Sequence, residues 1–233
     1  MMSGIEPKIE GASFGTFNAH LLTYEIGATD YSNGYVLPPT SMIPVKTKHT
    51  LGLRKITLTM DFEGDTPNDI AMNISEFTKL LHEGAEILLP DGFTYRCVFK
   101  KTSTPKEKAP WIMQVKFTLE GYRHGALETK TLTSTASIYV EGNCPTPAIL
   151  KITTAASSVT VCGISVDNIS GVIVIDSYKK TVVQIANGVT TNKFADTDMT
   201  EFPKLATGYT PIEISANGGA AISVEVSYYP IFV

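Results

Sequence analysis

The chain is short of charge, of cysteine and of long apolar runs, and each shortage removes a class of function. Only 18% of its 233 residues are charged, and 23 acidic against 19 basic side chains leave a formal net charge of −4. So low a charge content is foreign to a disordered protein. An acidic balance also argues against nucleic acid as a primary partner, which calls for a basic face. The densest basic run, Lys106-Glu107-Lys108, is hemmed in by Pro105 and Pro110. No apolar stretch approaches the ~18 residues that a membrane span needs. The opening "MMSGIEPKIEGASFGTF" lacks a basic segment leading into an apolar one, so no signal peptide and no membrane insertion are expected. Cys97, Cys144 and Cys162 are scattered, odd in number and never in a C-x-x-C pair, a usage that fits synthesis in a reducing compartment. Without export, the sequons Asn73-Ile74-Ser75 and Asn168-Ile169-Ser170 are read as coincidence.

Catalytic signatures are equally scarce. There is no G-x-S-x-G, no glycine-rich phosphate loop and no Cys/His pattern. His20, His49, His82 and His124 stand far apart with no second ligand at metal spacing. Asp61, Glu63 and Asp65 alternate as calcium-binding carboxylates do, but Gly64 is misplaced for an EF-hand and no closing glutamate follows. Asp196 and Asp198 read as turn formers. A glycosidase needs only two carboxylates facing across a cleft, so a cell-wall hydrolase stays a minor alternative. The expectation is a protein that is not an enzyme and needs no cofactor or metal.

What the chain does have is strand patterning, with 43% hydrophobic residues to fill cores. Residues 1–50 are turn-rich, and Ile26, Tyr31, Tyr35 and Val36 among Gly, Asp, Asn and Pro suggest short edge strands and loops. From Leu51 to Phe62, Ile56, Leu58, Met60 and Phe62 alternate with Lys55, Thr57, Thr59 and Asp61, the period of a half-buried strand. One helix follows. Thr66 can cap it, Pro67 suits its first position, Asp69 completes a capping box, and Gly84 can end it left-handed. Ile70, Ile74, Phe77 and Leu81 form its apolar stripe. Burying those four contributes roughly 6–12 kcal/mol gross, an upper bound, so the stripe is expected to dock on the sheet.

A hairpin is expected over Glu86–Leu89 and Phe93–Phe99 around Pro90-Asp91-Gly92. Lys100 to Pro110 reads as an exposed polar loop, and Trp111 to Glu120 as another half-buried strand. The stretch "EGYRHGALET" breaks the pattern and marks a boundary, giving domains over 1–134 and 135–233. Beyond it, strands are expected at Ser137–Val140, Ala148–Thr153, Val159–Ile164, Val172–Asp176, Thr181–Ile185, Ile212–Ser215 and Ile222–Tyr229, spaced as in a sandwich. The apolar ending "SYYPIFV" is unlike a frayed tail, because each large side chain left in water forgoes roughly 1.5–3 kcal/mol. The fold class is therefore mainly β, two β-sandwich-like domains, the first carrying one helix on its sheet.

In order along the chain, "LRKITLTMDFEGD", "ISEFTKLLHEG", "DGFTYRCVF" and "QVKFTLEGYRHG" resemble the first domain of phage distal tail proteins, baseplate-hub components of long non-contractile tails. "GVIVIDSYKKTVV", "FPKLATGYTPIEIS" and "AISVEVSYYPIFV" resemble the second domain of that family. The likeness covers about three-quarters of the chain, from Leu51 onward; the basic turn often found before the first long strand is here "KTKHTLG". It implies a homo-hexameric ring built by the first domain, with a galectin-like or carbohydrate-module-like second domain projecting outward. It further implies a place in the virion tail tip, after assembly in the host cytoplasm, with tail tube protein above and tail-tip or baseplate proteins below. DNA would pass through such a ring without specific binding, which suits the mildly acidic charge.

A head-to-tail ring needs two different complementary surfaces on each subunit. Phe14, Phe17, Leu21, Leu22 and Tyr24 are candidates for one of them, the competing reading being that they fill their own core. The runner-up function is a lectin-like adhesion module in which Tyr228 and Tyr229 stack on sugar, although neighbouring strand residues point to opposite faces.

Overall fold

A computed structural model describes residues 5–36 and 45–233; the side chains of residues 30–33, 35 and 45–51 lie outside that description. The chain forms two compact units that meet at the His124–Gly125 bond.

The first unit contains β1 (Lys8–Ile9), β2 (Ala12–Ser13), β3 (Ala19–Val36), β4 (Val45–Glu63), α1 (Pro67–His82), β5 (Ala85–Leu88), β6 (Thr94–Thr102), β7 (Lys106–Ala109) and β8 (Ile112–His124). Its strands make an antiparallel sheet in the order β2-β1-β5-β6-β8-β4-β3, with β7 also beside β8. Ile56, Leu58, Met60 and Phe62 of β4 and Val115, Phe117 and Leu119 of β8 are fully buried, as their alternation predicts. The helix docks on that face through Ile70, Phe77 and Leu81. Its start is the expected capping box: the Asp69 amide donates to Thr66 Oγ1 at 3.2 Å, and the Thr66 amide to Asp69 Oδ2 at 3.0 Å. Gly84 follows its end at φ 85°, a backbone state that glycine takes without steric cost.

Phe77 is the centre of this core. Phe14, Phe17 and Phe62 meet its ring edge-on at centroid distances of 5.2, 5.6 and 5.7 Å, and Phe117 lies tilted at 5.4 Å. Gly121 lets β6 and β8 close up, because a Cβ there would strike the Arg96 carbonyl and sit 3.0 Å from Cys97 Sγ.

The second unit contains β9 (Glu128–Leu132), β10 (Ala136–Val140), β11 (Thr146–Pro147), β12 (Ile149–Thr154), β13 (Val159–Val161), β14 (Ile164–Val166), β15 (Val172–Asp176), β16 (Thr181–Ala186), β17 (Val189–Asn192), β18 (Lys204–Leu205), β19 (Gly208–Ile212), β20 (Ile214–Ala216), β21 (Ile222–Tyr228) and β22 (Ile231–Phe232). A six-stranded sheet runs β17-β16-β15-β12-β21-β9; the smaller groups are β14-β13-β20, β10-β19 and β11-β18. Leu150, Ile152, Ile173, Ile175, Val224 and Val226 of the large sheet share one core with Ile138, Val140, Val161, Val166 and Ile212 of the smaller ones. Alternate residues from two β layers meeting in one apolar core make a β-sandwich. Its buried polar groups are partnered: Gln184 exchanges hydrogen bonds with Ser170 at 2.8 and 2.9 Å, and Ser177 donates to the Pro203 carbonyl at 2.9 Å.

Several expectations are corrected. Residues 19–36 form one eighteen-residue strand rather than short pieces, because irregularities between Leu21 and Thr23, Ile26 and Thr29, Thr29 and Tyr31, and Gly34 and Tyr35 absorb the turn-like residues without breaking the ladder. The Leu37–Thr40 part of "YSNGYVLPPT" falls outside the described residues. The supposed loop after Phe99 is strand at both ends, β6 reaching Thr102 and Lys106–Ala109 pairing with β8. The second strand of the expected hairpin starts at Thr94 rather than Phe93, which is 39% exposed under Arg123, the guanidinium carbon 4.2 Å from its ring centre. β8 continues through Glu120–His124, and Glu128–Leu132 pairs with β21, so that strand belongs to the second unit although it precedes residue 135. Val159–Ile164 is two strands, folded back at Cys162 and Gly163 with φ 52° and 75°.

Replacing Phe77 by Ala is expected to destabilise the first unit by about 3–5 kcal/mol, and Thr66→Ala by about 1 kcal/mol. Urea unfolding monitored by amide exchange in each unit would check both; equal effects would contradict the central place given to Phe77.

Candidate interaction surfaces

Most of the acidic residues that drew notice in the sequence are occupied with local structure. Asp61 accepts from Gln114 Nε2 at 3.2 Å, Glu63 lies 3.7 Å from His20 Nε2, and Asp69 belongs to the helix cap. Asp196 accepts from Asn168 at 2.9 Å and Lys193 at 2.9 Å, and these bonds hold its carboxyl below the ordinary carboxylate range. Asp198 accepts from the Ser165 amide at 2.6 Å. His82 packs on Phe99, and His124 is buried 3.7 Å from Glu86; the His49 side chain is outside the described residues. Among the described residues, no three His, Cys, Asp or Glu side chains are grouped to hold a metal ion, and no helix is long and apolar enough to cross a membrane. An open cavity of about 570 Å3 lies at the start of α1, lined by Glu63, Asp65, Asp69, Met72, Asn73 and Trp111 among others.

The thiols are set by burial. Desolvation pushes Cys97, 1% exposed, up to about 12. Cys162 rises to about 11, by burial first and the nearby Glu213 second, and burial also raises Cys144. Tyr95 is raised likewise, by burial and by its 2.7 Å hydrogen bond to Asp91. Groups held neutral in this way are packing elements rather than nucleophiles.

The five candidate contact residues separate by depth. Phe14 is 2% exposed and opens a short 3-10 turn, Phe14–Phe17, whose capping residue Ser13 accepts from the Gly15 amide at 3.1 Å. Phe17, Leu21 and Tyr24 are half-buried against the same core. Leu22 is 48% exposed. The irregularity between Leu21 and Thr23 explains the spacing, since it resets the two-residue period and turns both Leu21 and Tyr24 inward while Leu22 stays out. β3 is the edge strand of its sheet, so Leu22 stands beside a row of backbone groups with no neighbour strand among the described residues. Further out, β4 pairs with β8 only from Arg54 to Glu63, while β3 and β4 pair with each other as far as Val36 and Val45. Beyond Arg54 the two strands form a ribbon with no third strand among the described residues.

Tyr228 is 1% exposed and donates its hydroxyl to the Tyr139 carbonyl at 3.1 Å, so its ring is covered. Tyr229 is half-buried and meets Tyr178 edge-on at 5.7 Å. Two aromatic residues that the sequence reading passed over are the most exposed in the second unit, Tyr139 at 56% and Tyr209 at 81%. For Tyr139 the signal was in the chain: it lies between the inward-facing Ile138 and Val140 and so must face out, whereas Tyr209, between Gly208 and Thr210, is exposed by its pairing opposite Tyr139.

The fold is similar over nearly the whole chain to solved phage proteins. The Dit protein of phage SPP1, described as a paradigm of the hub adsorption apparatus of phages infecting Gram-positive bacteria, superposes with a TM-score of 0.65 at 14% identity, over 96% of this chain and 98% of that one. A chain of the phage P2 baseplate in its activated conformation with Ca gives 0.62 at 9% identity, over 95% and 94%. A chain of the same baseplate with Sr gives 0.61 at 10%, over 94% and 97%. No protein-family model matches the sequence, and no curated protein matches it. The chain thus shares its fold with the SPP1 Dit protein and with a chain of the phage P2 baseplate at low sequence identity.

Alkaline titration tests the buried thiols. Cys97 gives up its proton near 9 when unfolded and near 12 when folded, so its contribution to stability is complete below about pH 9 and is lost as pH rises toward 12. The first unit is expected to weaken steeply over that range, and Cys97→Ala to flatten the slope, as read from unfolding free energy against pH. An unchanged slope in the variant would show the thiol to be solvated.

Proposed function

We propose that this chain is a structural subunit of a phage tail hub, closing as a ring of six at the distal end of the tail. The observation that carries this reading is the match of fold over at least 94% of both chains to each of the hub and baseplate proteins compared. In this reading the first unit builds the ring, the second projects outward as a galectin-like domain, and the virion tail is the site of action. The tail tube protein and the tip or baseplate proteins are its neighbours, and DNA crosses the ring without specific contacts, an arrangement that the net charge of −4 favours. The work is assembly by shape and burial, with no chemical step.

The β3 edge with Leu22, and the ribbon beyond Arg54, supply one of the two surfaces that a head-to-tail ring requires. An unpaired edge is a template for strand pairing, and a two-stranded ribbon is marginal in water until something packs on it. Phe17, Leu21 and Tyr24 present their half-exposed parts to the same neighbour, while Phe14 supports them from within.

Purified protein, alone or with its tail neighbours, is expected to give six-fold rings by electron microscopy and six times the 25.2 kDa chain mass in solution. Leu22→Glu should abolish the ring while changing subunit stability by less than about 0.5 kcal/mol, because the side chain is half in water. Rings that survive in Leu22→Glu would move the contact elsewhere. A wild-type chain that stays monomeric with every tail neighbour present would overturn the reading itself.

A further inference from the structure

We propose that Tyr139 and Tyr209 form a binding site for a neutral saccharide on the outer face of the β10–β19 ribbon, independently of ring assembly. The two residues are direct cross-strand partners, flanked by Ser137 opposite Pro211. Their rings stand 5.4 Å apart at 69°, one edge toward the other, making a corner with a floor and a wall. Exposed tyrosines gain by covering their apolar faces while keeping the hydroxyl wet. The C–H face of a pyranose ring does this, and its hydroxyls remain free for polar neighbours.

The surroundings fit that ligand. Outward positions next to the pair are Ser137, Thr207, Glu141, Pro211 and Glu213, all exposed, and neither β10 nor β19 carries a Lys or Arg. Carboxylates and hydroxyls suit vicinal diols; the absence of cations along these strands disfavours a phosphate-rich or uronic polymer. The corner is also held before any ligand arrives. Ile138 and Ile212 anchor the two strands in the core, Tyr228 donates to the Tyr139 carbonyl, and Thr210 Oγ1 donates to the Ala206 carbonyl at 2.7 Å. Such preorganisation lowers the ordering cost of binding. Size decides against a protein partner. Two rings and a proline offer roughly 300 Å2, well short of the ~1,000 Å2 of a specific protein interface.

The test uses the full chain with maltohexaose, cellohexaose and chitohexaose as probes, followed by saturation-transfer NMR and calorimetry. At least one should bind, with saturation transfer to the axial C–H protons. Tyr209→Ala and Tyr139→Ala should each weaken binding by about tenfold or more, Tyr209→Phe should keep most of it, and Val189→Ala, exposed on another strand, should leave it unchanged. No binding of any probe up to about 10 mM, or equal affinity in Tyr209→Ala, would overturn the proposal. So would loss of six-fold rings in Tyr209→Ala, which would assign the face to a subunit contact.

Discussion

The first unit depends on the burial of one ring. Phe77 sits where the helix, the sheet and the N-terminal turn come together, and four other phenylalanines close around it. The capping box fixes where the helix begins, and hence which turn presents Phe77 to Phe62 and Phe117. Through Phe14 and Phe17 the same ring holds the short turn that feeds β3 into the sheet edge. The edge strand is therefore positioned by an aromatic contact from the opposite layer as well as by its ladder to β4.

That dependence ties a packing fact to an interaction surface. Half of what Phe17, Leu21 and Tyr24 offer is spent inside, and only Leu22 faces out freely. The two readings of this segment, core filler and contact surface, divide by residue rather than competing. A bulge is what permits the division, because a regular strand could not turn Leu21 and Tyr24 to one side.

How far the chain could be read varied with how one-sided each element is. β4, β8 and α1 each bury one face, so the apolar period reported them directly, down to the cap at Thr66. In the second unit the core strands at Leu150, Ile173 and Val224 were legible for the same reason. β17, exposed along its whole length, and β9, a polar edge strand, carry no alternation and left no trace. Residues 19–36 were misread because glycine, asparagine and aspartate signal turns locally, whereas here the pairing with β4 overrides them. For the surfaces, Tyr228 drew notice for its aromatic neighbour but lies in the core, whereas Tyr139, between the buried Ile138 and Val140, faces out together with its cross-strand partner Tyr209.

The ribbon of β3 and β4 has a mechanical consequence. Beyond Thr29, the partner of Arg54, it runs for seven residues past the sheet to Val36, about 23 Å at the rise of an extended strand. Its root coincides with the irregular stretch between Ile26 and Tyr31, where the ladder is least regular. Geometrically this is a lever on a pivot: each degree of bend at the root carries Val36 through about 0.4 Å. The amino acids at that root thus govern the reach and aim of the far end more strongly than those at the end itself.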